Sequence, residues 1–161
     1  VYHSSGNGVP LAAERKDRSF KVLFLDVGLA GAQLGLRITD LAGASTLFRI
    51  NEGALAEQWI GQHLLDIRPT FAAPELHHWA REKTGSEAEV DYLWAHGAQV
   101  VPVEVKAGKG GKLKSLQVFM GEKQSKLGVR FSTLPPRLEG KVLHLPFYMV
   151  EQLPRLMEHL R

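Results

Sequence analysis

Two acidic residues and a lysine give the chain its clearest chemical signature: Asp91 in EVDYLWAH, and Glu104 and Lys106 in VPVEVKA. Alternation along residues 100–107 puts Val101, Val103 and Val105 on one face of a strand, and Val100, Pro102, Glu104 and Lys106 on the other. His96-Gly97-Ala98-Gln99 suits a two-residue type II′ turn, with Gly97 supplying the positive φ and His96 pairing with Gln99. Counting outward, Asp91 falls opposite Glu104, and Glu89 opposite Lys106. Two carboxylates across a sheet, with Cβ atoms roughly 5 Å apart, repel one another unless something positive lies between them. A divalent cation would remove the conflict, and Mg²⁺ takes few protein carboxylates together with waters and phosphate oxygens. Lys106 could then hold an attacking water and stabilise charge on a pentacoordinate phosphate. The same alternation also suits a half-solvated surface hairpin in which Lys106 and Glu89 form a cross-strand ion pair.

Composition narrows the chemistry. Among 161 residues there is no cysteine, which excludes a thiol nucleophile, a thiolate metal site and a disulfide framework, and suits a hard cation and a cytoplasmic location. A hydrophobic share of 44% with 23% charge is that of a globular protein, and no apolar run reaches membrane-spanning length. The net charge of +3 permits an anionic partner without demanding one. No GxSxG elbow and no GxxxxGK[ST] loop occurs, so no phosphate-cradling nucleotide site lies within these residues. The first residue is Val1, and no signal-peptide pattern follows it, so the chain reads as a piece of a larger protein.

The elements that must position these groups follow from periodicity. Residues 1–19 mix Gly, Ser, Pro and charge and read as an irregular extension with little core. Residues 20–25 (FKVLFL) read as a strand ending at Asp26, and 28–36 as a short helix. Gly43 to Ser45 marks a loop. Asn51 suits the N-cap of a helix over 52–66, with Ala56, Ile60, Leu64 and Ile67 as its apolar stripe and Pro69 and Pro74 beyond its end. Residues 76–81, 90–95 and 100–107 read as three strands, 113–123 as a helix, 129–133 and 142–145 as two strands, and the residues from Phe147 as a last helix that Pro154 kinks or interrupts. This order implies an α/β (α+β) domain, a central mixed β-sheet flanked by helices.

The succession GSEAEVDY at 85–92, followed by VPVEVK at 101–106, resembles motifs II and III of the PD-(D/E)XK nuclease superfamily. It is most similar to the C-terminal domain of unassigned function in prokaryotic AAA ATPases, which follows ATPase and winged-helix modules. The likeness extends to FLDVGL at 24–29, NEGALAE at 51–57, residues 76–79 and LPF at 145–147. It implies a restriction-endonuclease-like core over 20–161, with 1–19 the tail of the winged-helix module, and the ATPase upstream as a partner in the same protein. It also implies DNA as substrate and Mg²⁺ or Mn²⁺ as cofactor; oligomerisation stays open.

Carried over by position, the superfamily's helix glutamate matches Glu57, its acidic motif II residue matches Asp91, and its (D/E)XK matches Glu104-Val105-Lys106. Metal ligation then falls to Asp91 and Glu104, assisted by Glu57, and water positioning to Lys106. Val90 stands where the superfamily name has proline. Glu52 competes with Glu57, but beside Asn51 it is explained by the helix dipole. Lys109, Lys112 and Lys114, with Lys123 and Lys126, concentrate positive charge beyond the acidic pair and suit a phosphate backbone, or simply a solvated helix face. Gln117, one turn past Lys114, matches a position where superfamily members carry a polar helper. Trp59, Trp79 and Trp94 fall within apolar elements and read as core aromatics, and His77 and His78 as ordinary strand residues. The expected activity is metal-dependent hydrolysis of DNA phosphodiesters. The alternative is a catalytically silent domain that binds nucleic acid or docks the ATPase.

Overall fold

The computed structural model describes residues 1–36, 46–68, 75–81, 88–108 and 110–160, and of residues 46–51 the backbone alone. Its strands are β1 (Tyr2–Ser4), β2 (Arg15–Phe20), β3 (His77–Ala80), β4 (Glu89–His96), β5 (Gln99–Val105), β6 (Gly128–Ser132), β7 (Arg137–Glu139) and β8 (Val142–Pro146). Its α-helices are α1 (Val27–Gln33), α2 (Thr46–Asp66), α3 (Lys114–Lys123) and α4 (Leu153–His159), with 3-10 turns at Leu11–Glu14 and Phe147–Gln152. The eight strands form one mixed sheet in the order β2-β1-β3-β4-β5-β6-β8-β7, parallel at β1/β3, β5/β6 and β6/β8 and antiparallel elsewhere. The α/β expectation with a central mixed sheet is met.

The valines on one face of β5 set the main core. Val101, Val103 and Val105 pack with Ile60 and Leu64 of α2, Tyr92 and Trp94 of β4, and Phe131 of β6. Ala56 and Ile67 lie half-buried against the same cluster, so the apolar stripe along α2 faces the sheet. A second cluster joins Leu11, Trp79, Ala88, Val90, Leu93 and Phe119, the last from α3. The β5–α3–β6 path links two adjacent parallel strands, which requires a crossover element of this kind.

Several expectations are corrected. Residues 1–19 supply two strands of the sheet and the buried Leu11, because β1 pairs in parallel with β3. Residues 21–25 are not a strand. Gln58 of α2 accepts the Phe24 amide at 2.8 Å and donates to the Val22 carbonyl at 2.9 Å, while Gln62 donates to the Phe24 carbonyl at 2.9 Å. Side-chain amides thus satisfy backbone groups that a neighbouring strand would otherwise take. Asn51 is not an N-cap, since α2 begins at Thr46 and carries Asn51 inside it. Among the described residues a side-chain cap forms at Asp26, whose Oδ1 accepts the Leu29 amide at 2.9 Å. The helical stretch from Phe147 is a 3-10 turn to Gln152 and an α-helix from Leu153, so the expected interruption falls beside Pro154, which sits in the first turn of α4 where it gives up no helical hydrogen bond. Strand β7 was not anticipated. The loop at 43–45, Pro69 and Pro74 lie outside the described residues.

Gly61 of α2 sits where the helix meets β4. A Cβ there would lie 2.6 Å from Tyr92 Oη and 2.7 Å from Leu23 Cδ1, whereas one at Gly53 would meet nothing within 4 Å. Helix propensity alone favours alanine at both positions. The expected outcome is opposite signs: in thermal denaturation Gly53→Ala stabilises by about 0.5–1 kcal/mol, while Gly61→Ala destabilises by about 1–3 kcal/mol through overpacking. Equal gains at both positions would contradict this helix–strand contact.

Candidate active site

The β4–β5 hairpin has the register that its turn demands: His96 pairs with Gln99, and the ladder runs through Leu93 opposite Pro102 to Tyr92 opposite Val103. Gly97 has φ 59°, and Ala98 stays out of the left-handed region, in keeping with a glycine-first turn. One step further, Asp91 and Glu104 leave the ladder. The Val105 amide donates at 2.8 Å to Asp91 Oδ2, so the carboxylate takes over as acceptor where strand pairing stops.

The other side of β4 explains the departure. Pairing with β3 shifts between His77 opposite Leu93 and Trp79 opposite Val90. Over that interval β3 advances two residues and β4 three, so Asp91 and Tyr92 together face His78. Such a bulge bends the strand and re-aims side chains.

Asp91 and Glu104 are both buried, at 9% and 4% exposure. Lys106 Nζ donates to Glu104 Oε1 at 2.5 Å, and Glu104 Oε2 has no hydrogen-bond partner among the described residues. Glu104 is pushed up to about 7, first by burial and then by the Asp91 charge. Burial also raises Asp91, against the opposing effect of the Val105 amide. Burial pulls Lys106 down, but its hydrogen bond to Glu104 and the surrounding carboxylates outweigh this, and its net shift is upward.

Glu57 reaches the same field from α2. Burial and then Asp91 push it up to about 7, with Lys21, Glu89 and Lys106 also felt there. Its carbonyl accepts the Tyr92 hydroxyl at 2.8 Å, tying this turn of α2 to the bulged part of β4. Glu52 is exposed. With α2 starting at Thr46, its explanation as a residue beside the N-cap no longer holds; the electrostatics, not the helix end, set Glu57 apart.

Lys106 and Glu89 do not pair with one another. Lys106 turns to Glu104, and Glu89 binds Lys21 Nζ, which also stands 3.9 Å from Asp91 Oδ1. Lys21 was not anticipated, because it lies inside a run that reads as a strand. Arg130, also missed, is the parallel neighbour of Glu104 on β6 and donates to the Gly110 carbonyl at 2.6 Å. The next residue, Gly111 at φ 105°, lies so close to Lys106 that a Cβ would sit 3.0 Å from Cδ of that side chain. Arg130 thereby fixes a loop that packs on the Lys106 stem.

Lys112, Lys114 and Gln117 are exposed, the latter two near the start of α3, where the Ser115 hydroxyl accepts the Glu89 amide at 3.3 Å. Lys123 donates to Asn7 instead of standing free, and Lys109 lies outside the described residues. Trp79 and Trp94 are buried and Trp59 is half-buried against the main core, as their apolar settings suggested.

Among the described residues no three histidine or acidic side chains converge to enclose an ion. The acidic pair offers two buried carboxylates, with Glu104 Oε2 and Asp91 Oδ1 not engaged by Lys106 or by the Val105 amide. That donor set suits a hard cation that keeps most of its waters.

A buried carboxyl with a raised pKa stabilises the fold while protonated, and this contribution is lost as pH rises from the ordinary carboxylate range through about 7. Buried His78, lowered to about 4 first by desolvation and then by Lys21, acts in the opposite sense below its usual value. The difference between variants therefore isolates the carboxylate. Glu104→Gln should stabilise the metal-free protein by about 2 kcal/mol at pH 8, equivalent to roughly 4–8 °C in Tm, and by little at pH 5. A gain independent of pH would contradict this assignment.

A family model described as a domain of unknown function, DUF4143, matches residues 52–148, from within α2 to the turn after β8. No curated protein and no solved structure matches the chain. With more than half of its length matched, including Glu57, Asp91, Glu104 and Lys106, the chain belongs to the DUF4143 family.

Proposed function

We propose that this is a PD-(D/E)XK-type nuclease domain of a prokaryotic AAA ATPase, hydrolysing DNA phosphodiesters with Mg²⁺ or Mn²⁺. The observation that carries the reading is the burial of Asp91 beside Glu104, with one Glu104 oxygen unpartnered and a lysine two residues on. Burying two neighbouring carboxylates is costly unless their charge is matched, and a structural hairpin gains nothing from the arrangement. When bound, a divalent cation supplies charge neutralisation and lowers the pKa of a water near the phosphate.

The chain's own residues do the rest. Asp91 and Glu104 would hold the cation, and the Val105 amide fixes the Asp91 carboxylate in orientation. Lys106 holds the attacking water and stabilises negative charge gathering on the phosphate. Glu57, raised by burial and then by the Asp91 charge, adds a third carboxyl to the field of this cluster. The exposed Lys112 and Lys114 offer salt-sensitive contacts to a phosphate backbone, with Gln117 beside them.

Calorimetric titration with Mn²⁺ checks the site: the parent should bind, and the Asp91→Ala/Glu104→Ala variant should not. On single-stranded, duplex and branched DNA, Lys106→Ala should cut the metal-dependent cleavage rate by about 100-fold or more while retaining Mn²⁺ binding. A parent that binds no Mn²⁺ removes the metal reading. Binding without cleavage of any substrate leaves a silent nucleic-acid-binding or docking domain.

A further inference from the structure

Three of the four carboxylate oxygens on Asp91 and Glu104 can be assigned from contacts alone. Asp91 Oδ2 accepts the Val105 amide, Glu104 Oε1 accepts Lys106, and Glu104 Oε2 has no partner among the described residues. The fourth, Asp91 Oδ1, is the atom that Lys21 Nζ faces at 3.9 Å while bound to Glu89. The Asp91 oxygen left open for a cation shared with Glu104 is therefore the one that lies in the field of Lys21.

Lys21 is held in this place from both sides. Its amide donates to the Val1 carbonyl at 2.8 Å, and its carbonyl accepts the Val1 backbone nitrogen at 3.1 Å. The residues after it are clamped to α2 by Gln58 and Gln62. With its backbone fixed, the side chain still keeps 29% exposure, so the ammonium has a route to water. Its charge is felt at Glu57, Asp91 and Glu104 alike.

We propose that Lys21 is the resident counterion of this site: its ammonium sits between Glu89 and Asp91 in the metal-free protein, and a divalent cation binding Asp91 and Glu104 displaces it. The inference rests on the metal-binding reading above. Lys106 and Lys21 then have separate tasks. Lys106 stays on Glu104 whether or not metal is present, whereas Lys21 exchanges with the metal and, once released from Asp91, becomes available to an anionic group of the substrate. A positive charge a few ångströms from a cation site opposes cation binding strongly at the effective dielectric of a protein surface.

Replacing Lys21 by methionine keeps most of the stem and removes the charge. Mn²⁺ titration by calorimetry should show about ten-fold tighter binding for Lys21→Met than for the parent, with Lys21→Arg near the parent and Lys141→Met, at the exposed β7–β8 turn, unchanged. Unchanged or weaker Mn²⁺ binding by Lys21→Met overturns the proposal while leaving the metal site standing. Failure of both parent and variant to bind Mn²⁺ overturns the metal reading and this inference together. A second measurement needs no variant: with ¹³C-lysine labelling, the Lys21 Cε resonance of the parent should move along the Mg²⁺ binding isotherm. A Lys21 signal that stays fixed at saturating Mg²⁺, while the protein as a whole registers binding, also overturns the exchange.

Discussion

The structure turns on one electrostatic constraint: Asp91 and Glu104 lie next to one another where the β4–β5 ladder ends, and both are buried. Two like charges in a low-dielectric setting repel strongly, and desolvation adds to the cost. The fold answers with several partial remedies. A backbone amide is spent on Asp91, Lys106 is folded back onto Glu104, and Lys21 is brought in from the end of β2 to Glu89. None of them fully offsets the cost: burial, and then the Asp91 charge, still push Glu57 and Glu104 up to about 7. Strongly perturbed carboxyls of this kind cluster at functional sites.

The scaffold around the cluster is correspondingly specific. Helix α2 can come close to β4 only because Gly61 has no Cβ, and that approach lets the Tyr92 hydroxyl reach the Glu57 carbonyl. On β6, Arg130 holds the Gly110 carbonyl, and Gly111 packs on the aliphatic part of Lys106. Asp91, Glu57 and Lys106 are thus each positioned by a neighbour on a different element. Under the proposed nuclease reading this matters, because a catalytic group displaced by about 1 Å loses much of its effect.

The features that could be read in advance were those carried by neighbouring residues. The hairpin register followed from a two-residue turn and an alternating valine run, and the apolar stripe of α2 from its spacing. Where the decisive contact came from afar, reading failed. Residues 20–25 carry the composition of a strand, yet the amides of Gln58 and Gln62, over thirty positions later, satisfy the backbone of 22–24 and leave Leu25 exposed. Residues 1–19 lack a periodic pattern, because β1 gains its place by pairing with β3 rather than from alternation of its own. Asn51 had the chemistry of a cap, but α2 continues through it.

By itself, then, the sequence determined the mixed α/β class, the hairpin and its turn, and which carboxylates and lysine share one end of it, since turn geometry and two-residue alternation act over a few bonds. Only the tertiary structure decided how those groups meet. The bulge at Asp91 exists because β4 must satisfy β3 and β5 in different registers at once. Lys21 arrives because the end of β2 is pinned to Val1 at the start of β1, from where its side chain reaches Glu89, and Glu57 because α2 lies on the main core. Those are contacts between residues distant in the chain, whose free energy depends on burial and on the charges of their neighbours, quantities that no local pattern carries.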